Sequence, residues 1–220
     1  SPRYVHHVAA TVRRLLSEAV DNDLIPVSPC VWKAKRDLPA KMDRDPSKRR
    51  AGGFHPAEVW QLLFDERIPP ERRVLYAMEF LTGMRTGEAA ARRWGDWSAE
   101  VEPLGRLEVR TAWNTRMRQE GSTKTLVEKV APVHPILGRI LRAWKDHGWK
   151  EYTGKTPADS DYIVPAERGG PRNASRSNRL FQQDLRTLEL RPEDQERRTH
   201  YETRSTFRSL ALAGGAVRSD

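Results

Sequence analysis

The hydrophobic residues of this chain change their period twice, and this change restricts the fold more than any other feature. Arg72–Leu81 has apolar residues at helical spacing. Leu104–Trp113 alternates apolar and polar residues, which predicts a strand, and Lys124–Val133 predicts a second strand after the polar, basic connector Asn114–Ser122. Pro135–Trp149 returns to helical spacing. The sequence therefore predicts an α+β fold, mainly α, with a small antiparallel sheet inserted between helices.

The beginning of the chain has a different character from the rest. Tyr4–Asp21 is predicted to be an amphipathic helix, and a turn-rich segment follows it. Lys33–Arg50 is rich in Lys, Arg, Asp and Pro, and it fits a basic linker on a phosphate backbone or a solvated tether equally well. Pro56 marks a new helix start. Further elements are predicted at Tyr162–Pro165 (a short strand), Ser177–Leu190 and Thr203–Ala213 (helices).

The composition favours an intracellular protein with a polyanionic partner. The 220 residues carry a formal net charge of +9, with a pI of about 10.0. No segment approaches the ~18 apolar residues of a membrane span. The single cysteine, Cys30, excludes an internal disulfide and fits a reducing cytoplasm. The six histidines are not spaced as metal ligands are.

The turn Thr82-Gly-Met-Arg-Thr-Gly-Glu88 is the most informative short segment. It predicts that Arg85 lies at the start of a helix, where backbone N–H groups and the helix dipole favour an anion. The planar guanidinium suits a phosphate oxygen, and Glu88 follows one helical turn later, where it can hold the arginine. An ordinary helix start with an i,i+3 ion pair explains this segment about equally well.

Two further basic sites have the same character. Lys124 lies in a turn at the entry to a predicted strand, where a solvated lysine is the simpler interpretation. Tyr201 and Arg204 lie one turn apart at the start of the last predicted helix, and Arg208 follows on nearly the same face. Two arginines and a lysine directed at one phosphate would neutralise a phosphoryl-transfer transition state without a metal, and the lysine could protonate the leaving alkoxide.

The order of these segments resembles the catalytic domain of the tyrosine recombinases, the phage-integrase family. Thr82–Glu88 with Trp94-Gly-Asp96 is similar to the family's first box, T-G-x-R-x-G-E followed by W-x-D. Ser122–Thr125 leading to Val130–Pro135 is similar to its β-hairpin lysine and the next strand. Tyr201–Phe207 is similar to its second box, H-x-x-R-H-T-F. The resemblance divides the chain into the end of a helical core-binding domain (1–32), a basic linker (33–52) and a catalytic domain (53–220).

The resemblance implies a role for each matching residue. Arg85 and Arg204 would clamp the scissile phosphate of double-stranded attachment-site DNA, Lys124 would be the general acid, and Glu88 would support the site. The implied reaction is a transesterification that forms a 3′-phosphotyrosyl link, with no metal or other cofactor. Expected contacts to the DNA backbone are Arg49, Arg50, Arg116, Arg118 and Arg208.

The sequence departs from the family pattern in three ways. Tyr201 replaces the first histidine of the second box, and His200, one place earlier, is the alternative residue for that position. Ser205 follows Arg204 where the family often has histidine. The family's nucleophilic tyrosine would follow Asp220, so we expect this chain to be a fragment that lacks both this segment and the start of the core-binding domain.

Three functional interpretations follow. The first is a phage or mobile-element integrase that holds most of its catalytic pocket in this chain. The second is a truncated form that only binds DNA as a regulator or competitor, and the third is a relative of type IB topoisomerases. The resemblance further implies a tetramer on DNA for the full-length protein, a monomer for this fragment, and a cytoplasmic, nucleoid-associated location in a bacterial or phage-infected cell.

Overall fold

A computed structural model describes residues 2–40, 53–102, 104–122, 128–167, 169–190 and 198–216. The chain divides into two compact units, Ser1–Ala51 and Gly52–Asp220. The assignment of these units to a core-binding remnant and a catalytic domain stays a prediction. Within the described residues, no helix is both long and apolar enough to cross a membrane.

The first unit consists of the long helix α1 (Pro2–Asp21) and the short helix α2 (Ala34–Asp37). No residue of α1 is buried. Arg13 fastens the following segment to α1, because its Nη2 donates to the Trp32 carbonyl at 2.7 Å and its guanidinium lies 5.7 Å from that indole. The helix α2 lies inside the segment that the sequence predicts to be a linker.

The second unit is built around a central helix. Its helices are α3 (Pro56–Phe64), α4 (Pro70–Thr82), α5 (Thr86–Ala90), α6 (Pro135–Ala143), α7 (Trp149–Thr153), α8 (Ala174–Thr187) and α9 (His200–Ala213). Every residue from Val74 to Phe80 is buried, which requires α4 to be covered on all sides. It packs against α3, α5, α6 and α9. Proline at the first position of α4 and left-handed Gly83 (φ 67°) after its end set its limits.

The strands form two small antiparallel sheets between α5 and α6. They are β1 (Trp97–Ser98), β2 (Arg106–Val109), β3 (Thr111–Asn114), β4 (Gln119–Ser122) and β5 (Lys129–Pro132). One sheet has the order β1–β2–β5, and β3 pairs with β4 as a hairpin. The register sets Val109 opposite Lys129 and Thr111 opposite Ser122.

The predicted fold class, α+β and mainly α with a small antiparallel sheet, is confirmed, with local corrections. The predicted strand Leu104–Trp113 is interrupted at Arg110 and divided between the two sheets. The connector Asn114–Ser122 contains β4, which the sequence does not predict because it lacks alternating apolar residues. The strand predicted at Tyr162–Pro165 is wrong, since only Tyr162 forms a bridge, with Arg93. The helix predicted at Pro135–Trp149 contains a π-helical turn at Trp144–Gly148.

Candidate functional site

Arg85 is held at the turn between α4 and α5 by a buried carboxylate. The Arg85 backbone N–H donates to Glu88 Oε2 at 2.9 Å, and Arg85 Nη1 donates to Glu88 Oε1 at 2.8 Å. The Glu88 side chain is 3% exposed, whereas that of Arg85 is 38% exposed. One carboxylate therefore fixes both ends of Arg85 and leaves part of its guanidinium accessible to a ligand.

A second cation shares the same carboxylate. Lys129 Nζ on β5 lies 3.6 Å from Glu88 Oε1. Burial raises the pKa of Glu88, but hydrogen bonds from the Arg85 backbone and side chain outweigh it, and with the charge of Lys129 they leave the pKa below its usual value. Glu88 is therefore ionised at neutral pH and orients two positive groups.

Arg204 joins the last helix to the turn before Arg85. Its Nη1 donates to the carbonyl of Gly83, two residues ahead of Arg85. Gly83 permits this contact in two ways: its positive φ favours glycine, and a Cβ there would lie 2.4 Å from Cδ1 of Phe207 on α9. The two boxes that the sequence separates by more than a hundred residues therefore meet at one turn.

Arg92 connects the β3–β4 hairpin to the turn that carries Arg85. It is 1% exposed, and it donates to the Glu88 carbonyl at 2.9 Å, to Asp96 Oδ2 at 3.1 Å, and to the Glu108 carbonyl. It also donates to the carbonyl and hydroxyl of Thr111 at 2.6 and 3.0 Å. A single guanidinium thus connects α5 with both sheets. Burial lowers the pKa of Arg92, and the charge of Asp96 offsets this only in part, so the pKa stays below its usual value.

A groove of about 520 Å³ lies between α5 and the β3–β4 hairpin. Arg85, Glu88, Trp113 and Arg116 are among the residues that line it. Its floor is closely packed, because a Cβ at Gly87 would lie 2.7 Å from the Trp113 carbonyl oxygen. Arg85 therefore lies along an open groove whose far side carries a positive charge.

The two candidate residues at the start of α9, His200 and Tyr201, lie in different environments. The Tyr201 side chain faces solvent, with 67% of the residue exposed. His200 is buried: its Nδ1 lies 2.5 Å from Glu79 Oε2, and its ring packs 4.5 Å from that of Phe181. Burial lowers the pKa of His200, but the charge of Glu79 and its hydrogen bond outweigh this effect, so the pKa lies above its usual value. His200 is thus engaged in the interior, and Tyr201 is the residue of the pair that a ligand can reach.

The remaining predicted residues fall into two groups. Arg116 and Arg118 are exposed in the β3–β4 turn, where the side-chain oxygen of Asn114 accepts the Arg116 N–H at 3.0 Å, and Arg208 is exposed on α9. Three predicted residues, Arg49, Arg50 and Lys124, lie outside the described residues. The roles of all these residues stay predictions.

Two residues near the site were not predicted. Lys129 becomes a candidate only through the strand register that brings it to Glu88, and Arg92 only through its burial. Paired arginines before Trp94-Gly-Asp96 are the only sequence signal for Arg92. No group of three or more His, Cys, Asp or Glu residues that could hold a metal ion occurs in the described ranges.

This fold is that of the catalytic domain of tyrosine recombinases and integrases, which confirms the resemblance at the level of the fold. No protein-family model matches the chain, and neither does any curated protein. The similarity is to solved structures.

Three of these structures represent the group. The Tn1549 transposon integrase in complex with a circular intermediate DNA is 15% identical, with a TM-score of 0.72 over 96% of this chain and 67% of that chain. A lambda integrase dimer bound to a COC′ core site is 19% identical, with a TM-score of 0.64 over 95% and 66%. XerA recombinase is 15% identical, with a TM-score of 0.56 over 83% and 56%. The chain therefore spans about two thirds or less of these proteins.

Proposed function

We propose that this protein takes part in DNA integration or site-specific recombination, in which a tyrosine attacks a DNA phosphodiester. The observation that carries the proposal is the contact of Arg204 with the Gly83 carbonyl beside the Glu88-held Arg85. Two arginines from distant parts of the chain meet at one turn. The Tn1549 and lambda integrase structures that share this fold are complexes with DNA, which also supports the proposal.

The two arginines would act on the scissile phosphate as a clamp. Their guanidiniums donate to its non-bridging oxygens, and these charge-assisted bonds strengthen as negative charge accumulates in the transition state. The tyrosine oxygen forms a bond to phosphorus while the bond to the 5′ oxygen breaks. Glu88 holds Arg85 in place, so the donors need little reorganisation during the reaction.

A lysine would protonate the leaving 5′ oxygen. Lys124 is the residue implied by the family pattern, and Lys129 is the described lysine beside Glu88. Because Lys129 is partly neutralised by that carboxylate, we assign it to positioning Glu88 and keep Lys124 as the proton donor. Lys129→Met tests the positioning role: it should lower stability, because Glu88 loses one of its two cationic partners.

The groove beside Arg85 is the proposed path of the DNA backbone. Arg116 in the hairpin turn, with its neighbour Arg118, would contact phosphates on the far side of the groove. Such contacts position the duplex without selecting its sequence. Arg49, Arg50 and Arg208 are proposed as further backbone contacts, and the tetrameric assembly of the full-length protein on DNA is part of the same proposal.

Salt dependence tests the DNA-binding step. Each neutralised phosphate contributes about −0.9 to the slope of log affinity against log salt concentration. Fluorescence anisotropy with a labelled duplex should therefore give a slope of about −3.6 or steeper if four contacts or more form. A slope near zero, or no binding at low salt, would contradict the proposal.

Binding without cleavage is the second candidate function for the chain as given. Of its five tyrosines, Tyr76 is buried and donates to Asp184 at 2.5 Å, and Tyr162 donates to Glu120 at 2.6 Å. Tyr152 lines a cavity that contains neither Arg85 nor Arg204, and Tyr4 belongs to the first compact unit. A nicked duplex carrying the attachment site, which traps covalent intermediates, should therefore be bound without a 3′ adduct. An adduct that maps to exposed Tyr201 would contradict this expectation.

A further inference from the structure

A small cavity lies between the start of α4, helix α7 and the start of α8, next to the Arg85 groove, whose lining includes Ala174 of α8. Its volume is about 190 Å³, and its lining includes Glu71, Tyr152, Arg172 and Arg176. One water molecule takes ~30 Å³ of liquid volume, and pockets for drug-sized ligands take ~300–1,000 Å³. The cavity is therefore large enough for a small polyatomic group and too small for a nucleotide.

Arg172 is the unusual residue of this cavity. Its side chain is 7% exposed, and its buried Nε–H has no hydrogen-bond partner among the described residues. It forms an ion pair with Glu71, whose Oε1 lies 3.9 Å from Arg172 Nη2, which is too long for a hydrogen bond. Burial lowers the pKa of Arg172 but leaves it charged. A buried cation with unused donors is costly unless an acceptor meets it.

The other charged groups in the cavity wall are already engaged. Arg176 Nη2 donates to both carboxylate oxygens of Glu167 at 2.7 Å. Arg72 forms an ion pair with Asp184, with Nε 3.0 Å from Oδ2, although this contact lacks hydrogen-bond geometry. Arg172 immediately precedes Asn173, the N-cap of the 14-residue helix α8, whose dipole favours an anion at this end.

We propose that this cavity binds a small oxyanion, a carboxylate or a phosphate group, with Arg172 as its main ligand. The planar guanidinium offers two parallel N–H donors to such a group. The Tyr152 side chain, which lines the same cavity, can supply a hydroxyl donor. The cavity lining contains neither Arg85 nor Arg204, and the proposal does not depend on the proposed recombination chemistry.

A substitution at Glu71 distinguishes an anion site from a cation site. Its carboxylate repels an anion at Arg172, so Glu71→Gln should strengthen anion binding. The same substitution would weaken the binding of a cation. Arg172→Met removes the guanidinium while it keeps much of the side-chain volume, although it leaves Glu71 without its ion-pair partner. Arg179→Met, an exposed arginine of α8 outside the cavity lining, is the matched control.

The test is a titration followed by NMR of arginine Nε–Hε groups. Inorganic phosphate and acetate are each titrated against chloride at constant ionic strength. We expect the Arg172 resonance to shift saturably with at least one anion. Affinity should fall about tenfold or more in Arg172→Met, as judged by the anion-dependent rise in melting temperature, and should be unchanged in Arg179→Met.

A third arm with a short duplex at low salt identifies the source of the oxyanion. If the duplex also shifts the Arg172 resonance, the ligand is a DNA phosphate, and if only the free anions shift it, the ligand is a small molecule. Both results support the site. An Arg172 resonance that no probe moves, or a Glu71→Gln variant with weaker anion binding, would overturn the proposal. These two outcomes remain decisive even if Arg172→Met does not fold.

Discussion

Gly83 is the position where a single methyl group should disturb the candidate site most sharply. Gly83→Ala places a Cβ 2.4 Å from Phe207 Cδ1 in a backbone conformation with φ 67°. The left-handed conformation costs a residue with a Cβ about 1–2 kcal/mol. Overpacking against the Phe207 ring adds about 1–3 kcal/mol. We therefore expect the free energy of unfolding to fall by about 2–5 kcal/mol, the sum of these two costs.

Gly154 provides a matched control for the conformational cost. It follows the end of α7 at φ 78°, and a Cβ there meets nothing within 4 Å. Gly154→Ala should therefore lose only the about 1–2 kcal/mol of the left-handed conformation. Urea denaturation at neutral pH measures both variants.

The contact with Phe207 can be isolated further. Phe207→Leu removes the ring edge that the new Cβ would meet, so Gly83→Ala should cost less in that background than in the natural one. Equal losses for Gly83→Ala and Gly154→Ala, or no relief by Phe207→Leu, would refute the reasoning that α9 packs directly on this turn.

Three further predictions concern the groups around the site. Glu88→Gln should lower the melting temperature and reduce the loss of stability at acid pH, because the pKa of Glu88 is lowered in the folded protein. The stabilisation by Glu88 is therefore complete above the ordinary pKa of 4.5 and is lost as the pH falls below it. The exposed control Glu100→Gln should leave the acid loss of stability unchanged, and an unchanged acid loss in Glu88→Gln would count against the role of Glu88. His200→Gln should remove a loss of stability at high pH, because the pKa of His200 is raised in the folded protein. The stabilisation by His200 is therefore complete below pH 6.5 and is lost as the pH rises through the folded pKa. Urea midpoints between pH 6 and 9 test this, and a variant whose midpoint changes with pH as that of the natural protein does would contradict it. Arg92→Met should cost about 3 kcal/mol or more, because it removes the buried hydrogen bonds that Arg92 donates to three backbone carbonyls and to Asp96. Arg139→Met on the exposed face of α6 should change stability by less than about 0.5 kcal/mol. Similar losses for the two variants would refute the role of Arg92.

The sequence predicts the helices well because their apolar residues recur at a clear period. The buried run of α4 and the amphipathic α1 illustrate this, although α4 extends beyond the predicted Arg72–Leu81 at both ends, to Pro70 and Thr82. The strand β4 escapes prediction because Gln119–Ser122 contains no apolar residue, and only its pairing with β3 makes it a strand. The apolar run that begins at Tyr162 shows the opposite error: it predicts a strand, but only a single bridge forms there.

The candidate site is predicted only as far as local spacing reaches. The Arg85–Glu88 pair follows from an i,i+3 relation, and it is observed. The contacts of Arg204 with Gly83 and of Lys129 with Glu88 join residues far apart in the chain, so local spacing gives no signal for them. The same limit explains His200, whose burial against Glu79 depends on how α9 packs on α4.

A double-mutant cycle on DNA affinity tests most directly whether Arg85 and Arg204 bind one phosphate. Anisotropy with a labelled duplex at fixed low salt would compare Arg85→Ala, Arg204→Ala and the double variant, with exposed Arg139→Ala as the control. If the arginines share a phosphate, each single variant weakens binding, and the double variant loses clearly less than the sum of the two losses. Strictly additive losses, or single variants that bind DNA as tightly as Arg139→Ala does, would contradict the phosphate clamp.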